Sequence, residues 1–212
     1  PDFLTALGMT GLAAWVLAWV IWVLGRPFWH QGLSQGVWSN LQIGLAYLLL
    51  ALVSRSTSVP LLVAAQMLVC LATSSFIVGL QRFRQSDRMV RDSLTLFLPQ
   101  VTTMTLAAVL LPQDWSRFHR LQACVLLAQM LYMLWLLLRI RRNTPGMGWV
   151  LIVVAMLVQA LALVPLIVLG AAPVPFATHQ LSPYEQLALW GVCLTLFVNL
   201  VVSTIGLLLM LV

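Results

Sequence analysis

Long, almost uninterrupted apolar runs constrain this chain more than any other feature of its sequence. The first run reads LTALGMTGLAAWVLAWVIWVLG, and comparable runs recur to the end of the chain. A helix of about 20 apolar residues is long enough to cross the roughly 30 Å hydrocarbon core of a bilayer. Each run is expected to be helical, because hydrocarbon offers no partner for free backbone N–H and C=O groups.

The runs predict an all-α integral membrane protein, with residues 1–212 forming one membrane domain built as a seven-transmembrane-helix bundle. Hydrophobic residues make up 62% of the chain and charged residues 8%, against roughly 45–50% and 25% in soluble domains. The first run is too long and too apolar for a cleaved signal peptide, and it lacks a basic start. The predicted spans are 4–25, 38–54, 59–81, 93–112, 121–139, 147–170 and 185–211.

The basic residues predict the orientation of the bundle. Arginine and lysine in short loops gather on the cytoplasmic side of a membrane. Assigning alternate loops to one face leaves only Arg55, Arg117 and Arg120 on the other face. The amino end is therefore expected outside and the carboxyl end in the cytoplasm. The cytoplasmic, orientation-setting residues are Arg82, Arg84, Arg88, Arg91, Arg139, Arg141 and Arg142, together with Arg26.

The densest basic stretch, VGLQRFRQSDRMVRDS, does not have the character of a nucleic-acid site. Asp87 and Asp92 partly neutralise it, and no series of aromatic residues accompanies it. Single-stranded nucleic acids are held by a basic groove combined with stacking aromatic side chains. The net charge of +6 instead suits contact with anionic lipid headgroups, and the lipid bilayer is the expected partner.

The acidic residues argue against ion-coupled transport and catalysis. Intramembrane charges mark proton relays and ion pathways, whereas the five acidic residues all lie at chain ends or in loops. They are Asp2, Asp87, Asp92, Asp114 and Glu185. A membrane-embedded enzyme would need a cluster of ionisable groups, so this chain is not expected to be an enzyme.

The histidines and cysteines give no clear metal or redox pattern. His30, His119 and His179 are interpreted as solvated or headgroup-level residues, with haem or metal ligation as the alternative. His119 and His179 fall on the same face of the predicted bundle, but neither has a second ligand at i+3 or i+4. The three cysteines are isolated in apolar runs and are interpreted as packing residues. No cofactor is expected.

Amide side chains inside the predicted spans are the candidates for a ligand site. One reading is that they hydrogen-bond between helices, at about 0.6 kcal/mol each on average. The other is that they line a partly polar cavity, to which Pro99 and Pro165 add backbone carbonyls freed by the missing N–H. The candidate residues are Gln66, Gln100, Gln129 and Gln159.

The seventh run has features of a signalling helix. Ser182 is placed to cap its amino end, Pro183 suits the first helical position, and Glu185 favours the positive end of the helix dipole. The run continues to the end of the sequence without a polar tail. We expect the chain to be a fragment of a longer protein, with a cytoplasmic output module following this helix.

Several short phrases carry a resemblance to a known family. They are Trp38 in GVWSNLQIGLAYLLLAL, the phrase VGLQRFR, the basic LLLRIRR, and the Ser-Pro that opens the last run. In layout the chain resembles the seven-helix amino-terminal membrane sensor regions of bacterial GGDEF diguanylate cyclases. The resemblance implies a multi-pass protein of the bacterial inner membrane, with a cytoplasmic module that makes cyclic di-GMP. The cyclase motif itself is absent, so no catalytic residue is transferred.

Two classes of function remain. The leading hypothesis is a signal-input domain, in which an unknown small ligand shifts the seventh helix and so regulates the output domain in cis, a diguanylate cyclase or a histidine kinase. The alternative is a small-molecule transporter or channel subunit. Seven helices do not divide into the two equal repeats of common carriers. Homodimer formation is left open.

Overall fold

The computed structural model describes residues 3–56, 58–83, 89–110, 114–140, 147–169 and 182–210. Within these ranges all the regular structure is helical, and the predicted number of long helices is confirmed. The helices are α1 (Phe3–Leu24), a short 3₁₀ helix (Arg26–Gln31), α2 (Leu33–Ser56), α3 (Val59–Phe83), α4 (Met89–Leu110), α5 (Trp115–Ile140), α6 (Gly148–Leu169) and α7 (Pro183–Leu209).

Successive α-helices run in alternating directions and pack side by side. Across α2 and α3, for example, Gly32 faces Gly79 and the Ser39 hydroxyl donates to the carbonyl of Ala72. We call the lower end of the bundle the one where α1, α3, α5 and α7 finish, and the opposite end the upper end. α7 also contacts α1, so the helices that form a ring are α1, α2, α3, α5, α6 and α7. α3 and α5 contact each other within this ring, and α4 packs against both of them.

Six of these helices are long and apolar enough to cross a membrane, judged by length and composition over the described residues. α4 is the exception, because its apolar part is Leu94–Leu110, shorter than the predicted span 93–112. At ~1.5 Å per residue these 17 residues extend about 26 Å, which is less than a core of roughly 30 Å. The charged residues Arg91 and Asp92 precede this part in the sequence and limit it.

The distribution of side chains is that of a multi-pass membrane protein. Large apolar residues point outward, with Trp19 exposed by 63%, Leu161 by 70% and Leu187 by 71%. Polar residues such as Thr103 and Gln122 are buried inside the bundle. A surface helix of a soluble protein shows the opposite arrangement, with its charged and polar face toward solvent.

The start of α2 differs from the prediction. α2 begins at Leu33, so Trp38 lies in its second turn and does not open the helix. The preceding 3₁₀ helix ends at Gln31 and is followed by Gly32, whose φ of 93° lies in the left-handed region that glycine adopts without strain. A Cβ at this position would also collide with the carbonyl of Gly79 in α3. α2 therefore starts directly after the close contact between Gly32 and Gly79 of α3.

Facing glycines bring α6 and α7 together at the lower end. A Cβ added to Gly206 would lie 2.6 Å from Cγ1 of Ile152 and 2.8 Å from the carbonyl oxygen of Gly148. A Cβ added to Gly148 would in turn collide with the carbonyl oxygen of Gly206. The two backbones are in direct contact, as is common where small residues meet between membrane helices.

Candidate functional site

The interior of the bundle contains a cavity of about 220 Å³ lined by α1, α2, α3, α5, α6 and α7. The face that α2 turns to this central cavity runs from Ser39 to Val53. At ~1.5 Å per residue this stretch is about 21 Å long. The residues of α2 on this face are Ser39, Asn40, Ile43, Tyr47, Leu50 and Val53. The central cavity is therefore long and narrow, and it follows the helix axes.

The central cavity is polar at its lower end and apolar at its upper end. The Asn40 amide donates to Oγ1 of Thr204 at 3.3 Å, and the Ser203 hydroxyl donates to Oδ1 of Asn199 at 2.9 Å. The polar lining residues of the lower end are Ser39, Asn40, Thr73, Asn199, Ser203 and Thr204. The upper end is lined by Leu7, Leu50, Val53, Leu62, Val192 and Leu196.

Three of the four hydroxyls at the lower end, those of Ser39, Thr73 and Ser203, already donate their protons within the protein. The fourth, Thr204, accepts from the Asn40 amide. Ser39 donates to the carbonyl of Ala72 at 2.8 Å, and Thr73 donates to the carbonyl of Val69 at 3.0 Å. A hydroxyl has one proton and two lone pairs, so these oxygens keep acceptor capacity after donating. The lower end therefore offers acceptors in excess of free hydroxyl donors.

Tyr47 and Gln66 add polar groups near the middle of the central cavity. The Tyr47 hydroxyl is buried and has no hydrogen-bond partner among the described residues. Tyr47 packs with Leu7, Val69 and Cys193. Gln66 is half-buried, and its side-chain amide forms no hydrogen bond within the described part of the chain. Both groups can therefore accept a new partner.

Among the residues that the structure describes, every residue that lines the central cavity is uncharged. Transfer of an isolated ion into such surroundings costs far more than transfer of a neutral group that can form hydrogen bonds. The lining therefore favours a neutral occupant.

The four glutamines predicted to share a cavity are not brought together. Of these four glutamines, only Gln66 is among the residues that line the central cavity. With its amide oriented to satisfy both atoms, Gln100 donates to the carbonyl of Met67 at 2.9 Å and accepts from the N–H of Leu71 at 2.8 Å, which ties α4 to α3. Gln129 joins α5 to α3 in a similar way. Gln159 is buried with neither amide atom partnered among the described residues.

The contacts of Gln129 agree with the interhelical reading. Its amide donates to Oγ of Ser74 at 2.9 Å and to the carbonyl of Cys70 at 3.2 Å. Gln129 also lines a second cavity, of about 460 Å³, between α4 and α5. Pro99 of α4 lines the same cavity. Pro165 of α6, by contrast, is exposed on the outside of the bundle.

A polar seam between α3 and α5 was not predicted in this form. The Gln122 amide lies 3.0 Å from Sγ of Cys70, which is itself 3.5 Å from Oγ1 of Thr103 in α4. Cys70 is buried and free of any disulfide, in line with the packing role expected for it.

The interpretation of His119 as a solvated residue is wrong, whereas its interpretation as a headgroup-level residue stays a prediction. His119 is 8% exposed and packs edge-on against Phe118, with ring centroids 5.4 Å apart. α5 begins at Trp115, before the predicted bound at 121, and this extra turn carries His119 into the bundle. Of the other histidines, the side chain of His30 and all of His179 lie outside the described residues. No group of three potential metal ligands occurs in the described part of the chain.

The arginines that the structure describes separate between the two ends of the bundle. Arg82 and Arg139 end α3 and α5 at the lower end, and Arg139 lies 5.3 Å from the ring centroid of Trp135. Arg117 and Arg120 lie in the first turns of α5 at the upper end. Arg84, Arg88, Arg141 and Arg142 fall outside the described residues, and the side chain of Arg91 is not described.

The predicted cap of α7 is present. The Ser182 hydroxyl accepts from the N–H of Glu185 at 3.3 Å, and the Glu185 carboxylate accepts from the N–H of Ser182 at 2.7 Å. Pro183 occupies the first helical position. This reciprocal capping box satisfies backbone donors that would otherwise be unpaired at the helix end.

Sequence reasoning missed most of the lining of the central cavity. Its candidates were glutamines in apolar spans, and it left out Asn40, Thr73 and Ser203, which have smaller side chains and lie among apolar neighbours. Along α2 the lining residues recur at helical spacing. This spacing was the signal in the sequence from which the lining face of α2 could have been identified.

Comparison with known proteins adds no identity to this site. No protein-family model matches the chain, and neither the curated proteins nor the solved structures give a match. The resemblance to the sensor regions of diguanylate cyclases stays a prediction.

Proposed function

We propose that this chain is the signal-input domain of a multi-pass protein of the bacterial inner membrane. A small ligand in the central cavity changes the packing of α7 and so regulates a cytoplasmic module in cis, a diguanylate cyclase that makes cyclic di-GMP. The proposal rests on one observation: the stretch of α7 from Val192 to Thr204 lines the central cavity. The lining residues of α7 are Val192, Leu196, Asn199, Leu200, Ser203 and Thr204.

α7 has the properties that such coupling requires. Its 27 residues extend about 40 Å at ~1.5 Å per residue, which exceeds a hydrocarbon core of roughly 30 Å. The capping box at Ser182 makes its upper end firm, and the bond between Asn40 and Thr204 joins it to α2 near the lower end. A ligand that competes for Asn40 or Thr204 alters this contact between α2 and α7.

The expected size of the effect is ordinary for allosteric coupling. A ligand shifts an equilibrium only by the difference between its affinities for the two packings. A coupling free energy of about 1–3 kcal/mol corresponds to a change of about 5- to 150-fold in affinity.

The orientation in this proposal has the amino end outside and the carboxyl end in the cytoplasm. It is supported by Arg26, Arg82 and Arg139 at the lower end of the bundle, together with the further arginines of the adjoining sequence. Basic residues in short connections favour the cytoplasmic side.

The test measures output of the full-length protein as a function of helix phase. One residue inserted after Met210 rotates everything downstream by about 100°, and seven residues nearly restore the phase, given 3.6 residues per turn. We expect output to change with one inserted residue and to recover substantially with seven. A single residue inserted after Asn143, between α5 and α6, is the control, because it leaves the phase of α7 unchanged.

The assay also separates the alternatives. Formation of cyclic di-GMP that depends on phase supports the proposal, whereas autophosphorylation with the same dependence identifies a histidine-kinase output. Output that is indifferent to both insertions would make α7 a simple anchor. Solute flux through proteoliposomes without any such output would indicate a transporter or channel.

A further inference from the structure

We propose that the central cavity binds an uncharged, elongated amphiphile whose hydrogen-bond-donating end group lies at the lower end and whose alkyl chain extends toward the upper end. The proposal names the ligand class of the site on which the proposed function rests. It follows from the shape, the polarity and the hydrogen-bonding state of the lining.

The shape calls for an elongated ligand. The lining of α2 runs from Ser39 to Val53 and that of α7 from Val192 to Thr204. These stretches correspond to about 21 Å and about 18 Å along the two helix axes, at ~1.5 Å per residue. A volume of about 220 Å³ spread over this length suits a chain better than a compact ring system.

The polarity gives the ligand a direction. The upper part is lined by aliphatic side chains, among them Leu50, Val53 and Leu62. The amides of Asn40 and Asn199 and most of the hydroxyls lie at the lower end, and Tyr47 and Gln66 lie between the two parts. An alkyl chain in the upper part removes apolar surface from water at roughly 25 cal/mol per Å². A polar end group there would lose its hydrogen bonds, so that end group belongs at the lower end.

The hydrogen bonds already made by the hydroxyls at the lower end favour a hydrogen-bond donor as the end group of the ligand. The hydroxyl protons of Ser39, Thr73 and Ser203 are committed to acceptors of the protein, so their oxygens face a ligand as acceptors. A ligand hydroxyl or N–H satisfies such oxygens. An ether or ester oxygen could accept only from the amide N–H groups of Asn40 and Asn199 or from the Thr204 hydroxyl, and it would leave the acceptor oxygens without a donor.

The uncharged character of the described lining disfavours an ionic end group. An ammonium group also donates hydrogen bonds, but none of the described residues that line the central cavity is a carboxylate that could balance its charge. A carboxylate group would lack a cationic partner among the described lining residues. A buried ion without a partner carries a large desolvation penalty. A neutral alcohol or primary amide is the remaining chemistry.

The test uses the full-length protein in lipid nanodiscs and a photoreactive decanol with a diazirine near the far end of its chain. The matched probes are the corresponding carboxylate, alkylammonium and methyl ether. We expect saturable labelling of peptides around Leu50 and Leu62 that unlabelled decanol competes away. The methyl ether should bind about three- to tenfold more weakly, and the charged probes at least about tenfold more weakly.

Two threonines provide matched variants. Thr73 lines the central cavity, whereas Thr105 of α4 is exposed, and each hydroxyl donates to the carbonyl four residues before it. Thr73→Phe should abolish the saturable labelling because the ring fills the lower end, and Thr105→Phe should leave it unchanged. Circular dichroism verifies that each variant is folded, and the comparison of probes on the unaltered protein does not depend on the variants.

The proposal is overturned if the carboxylate or the ether competes as well as the alcohol, if labelling is confined to outward-facing residues, or if folded Thr73→Phe labels normally. The outcomes also separate the two proposals. Alcohol binding without phase-dependent output removes the signalling function but leaves the ligand class. Phase-dependent output without alcohol binding does the reverse.

Discussion

Replacing Gly206 by alanine is expected to destabilise the bundle, because α6 and α7 are in backbone contact there. The new Cβ would lie 2.8 Å from the carbonyl oxygen of Gly148 and 2.6 Å from Cγ1 of Ile152. Neither atom is the tip of a flexible side chain, so the helices must move apart. Overpacking of this kind costs about 1–3 kcal/mol, and the higher helix propensity of alanine offsets up to about 1 kcal/mol. A net loss of up to about 2 kcal/mol in the free energy of unfolding follows.

Gly191 is the matched control on the same helix. A Cβ there meets nothing within 4 Å, so Gly191→Ala should leave stability unchanged or raise it slightly. The free energy of unfolding is measured by titrating the protein in mixed micelles with a denaturing detergent and following tryptophan fluorescence. Gly148→Ala should lower stability about as much as Gly206→Ala. The double variant should lose less stability than the sum of the two single losses, because both added methyl groups disrupt the same contact between α6 and α7. Equal stability of Gly206→Ala and Gly191→Ala would refute the close packing of α6 and α7.

Three further predictions address the cap, the amides and the orientation. Ser182→Ala should cost about 0.5–2 kcal/mol and speed amide hydrogen exchange in the first turn of α7, whereas unchanged exchange would contradict a working cap. Gln129→Leu removes two interhelical donations and should lower the free energy of unfolding by about 1 kcal/mol with signalling retained. Gln66→Leu, which loses no hydrogen bond, should alter the ligand response with stability changed by less than about 0.5 kcal/mol. An altered response in Gln129→Leu together with an unaltered response in Gln66→Leu would remove the cavity role of Gln66. Reporter fusions after Arg142 should behave as cytoplasmic and those after Trp115 as extracytoplasmic, and a cytoplasmic reporter after Trp115 would overturn the orientation.

The ends of the helices were predictable only in part. The number of long helices depends on the length of apolar runs, and the cap of α7 depends on residues within a single turn, so both are local properties that the sequence contains. The start of α2 at Leu33 depends instead on the contact between Gly32 and Gly79 in another helix. The polar first turn of α5 carries no apolar period, which is why the predicted span began too late.

The partners of the polar residues were not predictable from their spacing. Asn40 and Thr204 are 164 residues apart in sequence, and Gln129 meets Cys70 and Ser74 across a helix pair. Helical period places residues on a common face but does not say which helix that face meets. In a bundle whose outer surfaces are apolar, the contrast between inner and outer faces is also weaker than in a soluble protein.

The sequence by itself determined that this chain is helical, that it is built for an apolar environment, and where its basic residues lie along the chain, because these follow from composition and from the length of each run. Only the tertiary structure decided that Gln66 lines a cavity while Gln100 and Gln129 join helices, and that His119 is buried. The physical reason is that a side chain's role depends on what the neighbouring helices place opposite it. That depends on close contacts such as Gly148 with Gly206, which long-range packing establishes and no single segment encodes.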